Sequence, residues 1–153
     1  MFELRMATLA DVPLLAQMNA QLNLDIHSPN TMSLEALEER MLGWLSADRE
    51  AVMVIREERC IGYLLYRRGV DEYYPYGEHI SVRQYFIEAS SRRLGIGKLA
   101  FQRIVKEILS PDTPLLLEVL HSSPESLEFW HKLGFHTYFT TLRRDLGNGA
   151  RPD

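Results

Sequence analysis

The 153-residue chain has a single cysteine, Cys60. That excludes an intrachain disulfide and makes a reducing compartment the natural setting. Cys60 also sits in an apolar strand-like run, so it reads as a buried, inert thiol rather than a nucleophile. No apolar run approaches the roughly 20 residues that span a bilayer, and the start has no signal-peptide pattern. A soluble, cytoplasmic protein with no membrane partner is therefore expected. An excess of positive charge is missing too: 17 Lys and Arg stand against 21 Asp and Glu, a net charge of −4. Nucleic acid is thereby excluded as a general partner. The five histidines show no ligand spacing; His131 and His136 straddle a helix end, so no metal is expected. There are no internal repeats and no linker that would divide domains.

Hydrophobic residues make up 46% of the chain and charged ones 25%, ordinary for one globular domain with a full core. The domain is expected over 1–146, with 147–153 a polar tail expected to be disordered.

Periodicity supplies the elements. Phe2, Leu4 and Met6 alternate with charged residues as a short strand. Thr8 and Asp11 resemble a capping box, Pro13 lies in the first turn, and Val12, Leu15, Met18 and Leu22 form the buried face of a first helix. A polar link with Asp25, His27 and Pro29 follows. Ser33 caps a second helix carrying Leu34, Leu37, Met41, Trp44 and Leu45, read first as core. Residues 51–56 and 60–67 form a hairpin. A linker, 68–77, holds three tyrosines around Pro75, either lining an acceptor pocket or making a rigid surface turn. A fourth strand runs from His79 to about Glu88, then a glycine loop, a third helix to Leu109, and an apolar strand at 115–120. Ser123 and Pro124 open a fourth helix that ends at Gly134, and Phe135–Leu142 is a final strand. The order is βααβββαβαβ, a mixed α/β sheet of about six strands with four helices. Its hairpins are antiparallel, and its third helix crosses between parallel strands.

The chemistry is concentrated in Arg92-Arg93-Leu94-Gly95-Ile96-Gly97-Lys98. Two glycines let the backbone turn tightly and approach a ligand. The turn leads into a helix whose first amides lack intrahelical partners and stand at the positive end of its dipole. With three cations beside it, this is an anion-binding loop suited to phosphate or pyrophosphate. A nucleoside-triphosphate loop would need Gly at 92 and a hydroxyl at 99, where Arg92 and Leu99 stand. Gly95-Ile96-Gly97-Lys98-Leu99-Ala100 fits the dinucleotide fingerprint, with Glu118 downstream, but that fingerprint follows its strand at once and here Glu88 to Leu94 intervene.

The remaining form is Gln/Arg-x-x-Gly-x-Gly/Ala, which Arg92 to Gly97 matches without a gap. A second stretch, Ser126-Leu127-Glu128-Phe129-Trp130-His131-Lys132-Leu133-Gly134-Phe135, has a small residue, an aromatic pair and x-Lys-x-Gly-Phe. With the opening Arg5 to Asp11, these resemble the GNAT-type N-acetyltransferase superfamily across nearly the whole chain.

That resemblance implies an acetyl-CoA-dependent N-acetyltransferase of GNAT-like fold, acting on a primary amine of a small molecule or peptide. It implies that amides from Leu94 to Lys98, with Arg92 and Arg93, hold the pyrophosphate. Backbone near Phe86 and Ile87 would pair with the pantetheine arm, where a bulge splays the fourth and fifth strands in this superfamily. Ser123, Ser126, Phe129 and Trp130 would complete the cofactor side. Ser123 stands where many members have Asn, and Trp130 where many have a Tyr proposed as general acid. An indole will not yield its proton near neutral pH, so the thiolate leaves unprotonated or Tyr138 or Ser126 serves. An alkylamine lies about 3 units above neutrality, which costs about 4–5 kcal/mol if it reacts as the free amine, so a proton acceptor is needed. Glu78 and His79 are the nearest candidates, then Glu88 and His121. Asp25, His27 and Gln84 would recognise the acceptor. A homodimer is left open. A non-catalytic acyl-CoA-binding sensor or interaction module is the alternative reading.

Overall fold

The computed structural model describes residues 1–71, 73–92 and 94–147, with no side-chain description for 71 and 74–76. Its strands are β1 (Glu3–Met6), β2 (Arg49–Arg56), β3 (Arg59–Asp71), β4 (Tyr74–Ile87) and β5 (Leu115–Leu117). Its helices are α1 (Val12–Asp25), α2 (Leu34–Ser46), a single turn α3 (Ala89–Arg92), α4 (Ile96–Ile104), which continues as a π-turn over Val105–Leu109, and α5 (Pro124–Lys132). The sheet order is β1-β2-β3-β4-β5, antiparallel up to β4 and parallel between β4 and β5. This is the mixed α/β architecture expected from the periodicity.

Local chemistry sets the element ends. The Asp11 carboxylate accepts from the Thr8 amide at 2.7 Å and from both Arg5 guanidinium nitrogens at 3.0 Å, fixing the entry to α1. Ser33 Oγ accepts from the Ala36 amide at 3.1 Å, an N-cap of the kind that contributes about 1 kcal/mol. Arg56 pairs with Arg59, so the hairpin loop is only Glu57-Glu58. Both have left-handed φ, 52° and 62°, the type I′ geometry whose twist matches the flanking strands.

The central strands are apolar on both faces because both are covered. Val52, Val54, Leu64, Tyr66, Ile80, Val82 and Ile87 pack against Ala100, Phe101 and Ile104 of α4 and Trp130 of α5. The alternate residues Ala51, Met53, Tyr63, Leu65 and Phe86 pack against Leu15, Met18 and Leu22 of α1 and Met41 of α2.

Three expectations are corrected. The segment read as linker, 68–77, includes the far end of β3 and the start of β4, which pair from Arg68↔Ile80 to Val70↔Glu78. The expected final strand at 135–142 does not form, so the described sheet has five strands rather than six. Phe135 packs into the aromatic core, but β5 is three residues long and offers almost no edge to pair with. The segment instead runs back to the β3–β4 tip, where Phe139 meets Tyr73 edge-on, ring centroids 4.6 Å apart. Among the described residues there are five α-helices rather than four, because Ala89–Arg92 forms its own turn before the glycine loop. Most of the expected tail, 148–153, lies outside the described residues.

Candidate functional site

β4 is the strand that builds the site. On one side it pairs with β5 only at Ile80↔Leu115, Ser81↔Leu116 and Val82↔Leu117. β4 then continues to Ile87 while β5 has ended, so among the described residues the edge from Arg83 onward faces no strand. On its other side the pairing with β3 skips a residue, passing from Tyr66↔Val82 to Leu65↔Gln84. Arg83 is the extra residue of a β-bulge. A bulge puts two consecutive side chains on one face. Val82 and Tyr85 face α4 and α5, whereas Arg83 lies over Trp44 of α2 and Gln84 accepts from Tyr63 Oη at 2.7 Å.

The free edge leads directly to the glycine loop. Gly95 is the N-cap of α4 in the left-handed region, φ 71° and ψ 12°, and a Cβ there would meet nothing within 4 Å. The turn therefore needs glycine and opens onto unfilled space. Gly97 is different. It is buried in the first turn of α4, and a Cβ there would meet the Phe129 ring at 3.7 Å. A Cβ there would make only ordinary contact with that ring, and the Gly97 carbonyl accepts from Tyr85 Oη at 2.6 Å.

The amides divide more sharply than the sequence suggested. Those of Leu94 and Gly95 donate to the Ser91 and Arg92 carbonyls at 3.3 and 3.1 Å, and Leu99 donates to Gly95. Helix geometry leaves Ile96, Gly97 and Lys98 as the amides without intrahelical acceptors. Of the cations, Arg92 is committed to the fold: Nε donates to the Ile87 carbonyl at 2.6 Å, and its far nitrogen pairs with Asp25. Arg93 lies outside the described residues. Lys98 is exposed beside the turn.

The remaining candidates separate likewise. Glu88 is gripped by Arg59 through two 2.6 Å hydrogen bonds, with Ser91 and Ser90 hydroxyls at 3.1 and 3.2 Å. The Arg59 hydrogen bonds hold its carboxyl below the usual range, which makes it a weak proton acceptor. His79 is buried, with Nε2 3.1 Å from Ser81 Oγ and Nδ1 enclosed without a partner. Glu78 and His121 are exposed. Asp25 serves Arg92 and also accepts from Gln21 at 2.8 Å. His27 is exposed and its carbonyl accepts from Ser122 Oγ at 3.2 Å, tying the α1–α2 link to the start of α5. Ser123 does not cap α5 with its side chain; Ser123 and Ser126 hydroxyls bond each other at 2.6 Å. Trp130 is enclosed by Phe101 and Phe129 at 5.0 Å, Phe135 at 5.3 Å and Tyr85 at 5.7 Å between ring centroids. Tyr138 is half exposed and stacks edge-on against Phe139. A depression of about 260 Å³ bounded by Phe2, Leu99, Gln102 and Arg103 shares no residue with the loop.

The unpaired end of β4 thus lies beside the first turn of α4. The acetyltransferase (GNAT) family model matches residues 18–135. The chain belongs to the GNAT acetyltransferase family. No curated protein matches it. Among solved structures, a "possible acetyltransferase" from Clostridium difficile 630 aligns with TM-score 0.77 and 15% identity, over 96% of this chain and 99% of that one. A predicted acetyltransferase with acetyl-CoA from Clostridium acetobutylicum gives 0.74 and 16%, over 95% and 96%. The aminoglycoside N-acetyltransferase AAC(6')-Iy in complex with CoA gives 0.75 and 11%, over 95% of each chain. At these identities the likeness establishes the shared GNAT fold.

Sequence reading missed two features of this GNAT chain. Asp25 and Arg92 are 67 residues apart, and nothing local signals their pairing. In the sequence Arg83 reads as an ordinary strand residue; a lone arginine between Val82 and an apolar strand end is the available hint.

Proposed function

We propose that this protein transfers the acetyl group of acetyl-CoA to a primary amine of a small molecule or peptide, by direct attack within one ternary complex. The observation that carries the reading is the free β4 edge running into the open N-terminus of α4. Both relatives named with a CoA ligand share this fold, which supports the same use here.

Acetyl-CoA supplies an activated thioester; the protein's own groups bind and orient. The Ile96, Gly97 and Lys98 amides hold the pyrophosphate, with the Lys98 ammonium adding charge. Arg92 acts one step back: by bonding the Ile87 carbonyl and Asp25 it fixes the loop to the ends of β4 and α1. The β4 edge near Phe86 and Ile87 pairs with the pantetheine arm as another strand would, through groups other than the Ile87 carbonyl, which Arg92 occupies. Ser123 and Ser126 border this arm at the start of α5, and Phe129 and Trp130 support the loop from behind.

The amine forms a C–N bond as the C–S bond breaks, the pair on sulfur leaving as thiolate. Thiol pKa values lie around 8–9, so departure needs no strong acid; Tyr138, held with Phe139 near the β3–β4 tip, stands too far from the free β4 edge to supply one. His79 is the preferred acceptor of the amine's proton, because its Nε2 lies 3.1 Å from Ser81 Oγ and it shares a β4 face with Ser81, Arg83 and Gln84. At about 3.3 Å per residue it stands roughly 13 Å from Arg83, so the proton travels through Ser81 and water. Glu78 is the exposed alternative. Direct transfer also fits Cys60, whose thiol is pushed up by burial and donates to the Gly62 carbonyl at 3.2 Å.

The test is thiol release from acetyl-CoA across a panel of primary amines, beside the melting shift caused by acetyl-CoA. Amine-dependent release and a raised Tm are expected. A raised Tm with no release from any amine would replace catalysis by acyl-CoA sensing, and no shift at all would remove the loop assignment.

A further inference from the structure

We propose that the acceptor amine carries an oxyanion, a carboxylate or phosphate, recognised by Arg40, Arg49 and Arg83 around the ring of Trp44. The proposal rests on the acetyl-transfer reading for the word acceptor, but the anion site is argued and tested separately.

Trp44 lies half-buried on the last turn of α2. Three guanidinium carbons surround its ring, at 4.4 Å for Arg40, 5.0 Å for Arg49 and 5.7 Å for Arg83 from the centroid. They arrive from three elements: α2, the start of β2 and the β4 bulge. Arg67 stands beside them, paired in register with Arg49. Among the described residues, Asp48 is the one carboxylate within ion-pair distance of these four, at 3.5 Å from Arg49 and 3.8 Å from Arg67. A chain with net charge −4 has thus gathered four cations around one carboxylate.

The donors are also underused. Arg40 gives one nitrogen to the buried Asn19 Oδ1 at 3.1 Å, while its Nε is enclosed without a partner. Arg83 is exposed and has no acceptor among the described residues. Burial, and after it the nearby Arg83, loosen the proton on Arg40. An aromatic face attracts each guanidinium, and one arginine would satisfy a purely structural stack. Several converging forks with spare N–H groups match an oxyanion, which accepts from them in pairs.

Position ties this cluster to the reacting region. The bulge puts Arg83 where β4 loses β5, on the face that also carries His79, Ser81 and Gln84. An anion seated on Arg83 keeps the amine of a short molecule within one side-chain length of the free β4 edge.

The experiment is calorimetric titration of the protein, with and without CoA, using four amines of similar size: O-phosphoethanolamine, β-alanine, ethanolamine and 1,3-diaminopropane. The two anionic amines are expected to bind at least tenfold tighter than ethanolamine, and the dication weakest; the first two compared with each other distinguish phosphate from carboxylate. In Arg83→Gln and Arg49→Gln, each checked for a cooperative melt, the anionic-to-neutral affinity ratio should fall at least fivefold. Equal binding across the series, preference for the diamine, no detectable binding of either anionic amine at 10 mM, or an unchanged ratio in both variants would overturn the proposal. Thiol release from acetyl-CoA is followed with the same amines. Anion-selective binding without release would count against acetyl transfer while leaving the anion site standing.

Discussion

Replacing Gly95 by alanine isolates one physical cause. An added Cβ meets no atom within 4 Å, so sterics with neighbours contribute nothing, and the φ of 71° remains. Holding an L-residue in the left-handed region costs about 1–2 kcal/mol. Loss of glycine's freedom in the unfolded chain returns about 0.4–1 kcal/mol. The net destabilisation is about 1 kcal/mol, or about 2–4 °C in Tm for a domain of this size. Gly95→Asn, which tolerates this region better, should recover more than half. The same methyl enters the open space at the N-terminus of α4. Acetyl-CoA at 100 times its Kd should stabilise wild type by about 2.7 kcal/mol, about 5–11 °C, and Gly95→Ala should lose at least half of that shift. Thermal melts of the three proteins, with and without acetyl-CoA, measure both effects. If Gly95→Ala melts with wild type and gains the same shift, both the strain argument and the pyrophosphate assignment are wrong.

Trp130→Ala should lose about 3–5 kcal/mol, as truncation of a buried aromatic does, whereas Trp130→Phe should lose less than half of that and retain most of the acetyl-transfer rate. A hundredfold slower folded Phe variant, about 2.7 kcal/mol in the barrier, would mean the indole N–H is required. Tyr85→Phe removes the bond to the Gly97 carbonyl and should cost about 0.5–1.5 kcal/mol in denaturant unfolding; no loss would show that the bond does not hold the helix start. For Glu88 the folded pKa lies below the ordinary value because of Arg59. Its contribution is therefore present above pH about 4.5 and is lost as pH falls through the folded value. The Tm gap between wild type and Glu88→Gln should narrow as pH is lowered from 7 to 3, and a gap independent of pH would refute the ion-pair account.

By itself the sequence determined the helices, the central strands and the glycine loop. Each is encoded locally: the 3.6 and 2 periods of Leu15, Met18, Leu22 and of Val52, Val54, the Ser33 cap, and the Arg92 to Gly97 run. It also carried the family resemblance, since both motifs are contiguous. Only the tertiary structure decided what depends on distant pairing. Phe135–Leu142 has strand-like composition, but a strand exists only where an edge accepts it, and β5 ends after three residues. The bulge at Arg83 is a matter of register between β3 and β4, invisible to composition. The loop amides were legible as a group, yet which of them stay free depends on the carbonyls of Ser91 and Arg92 in a turn the periodicity does not announce. Gly95 and Gly97 look alike in the sequence. One faces open space and the other Phe129, because α5, folded from thirty residues later, arrives on one side of α4 and not the other.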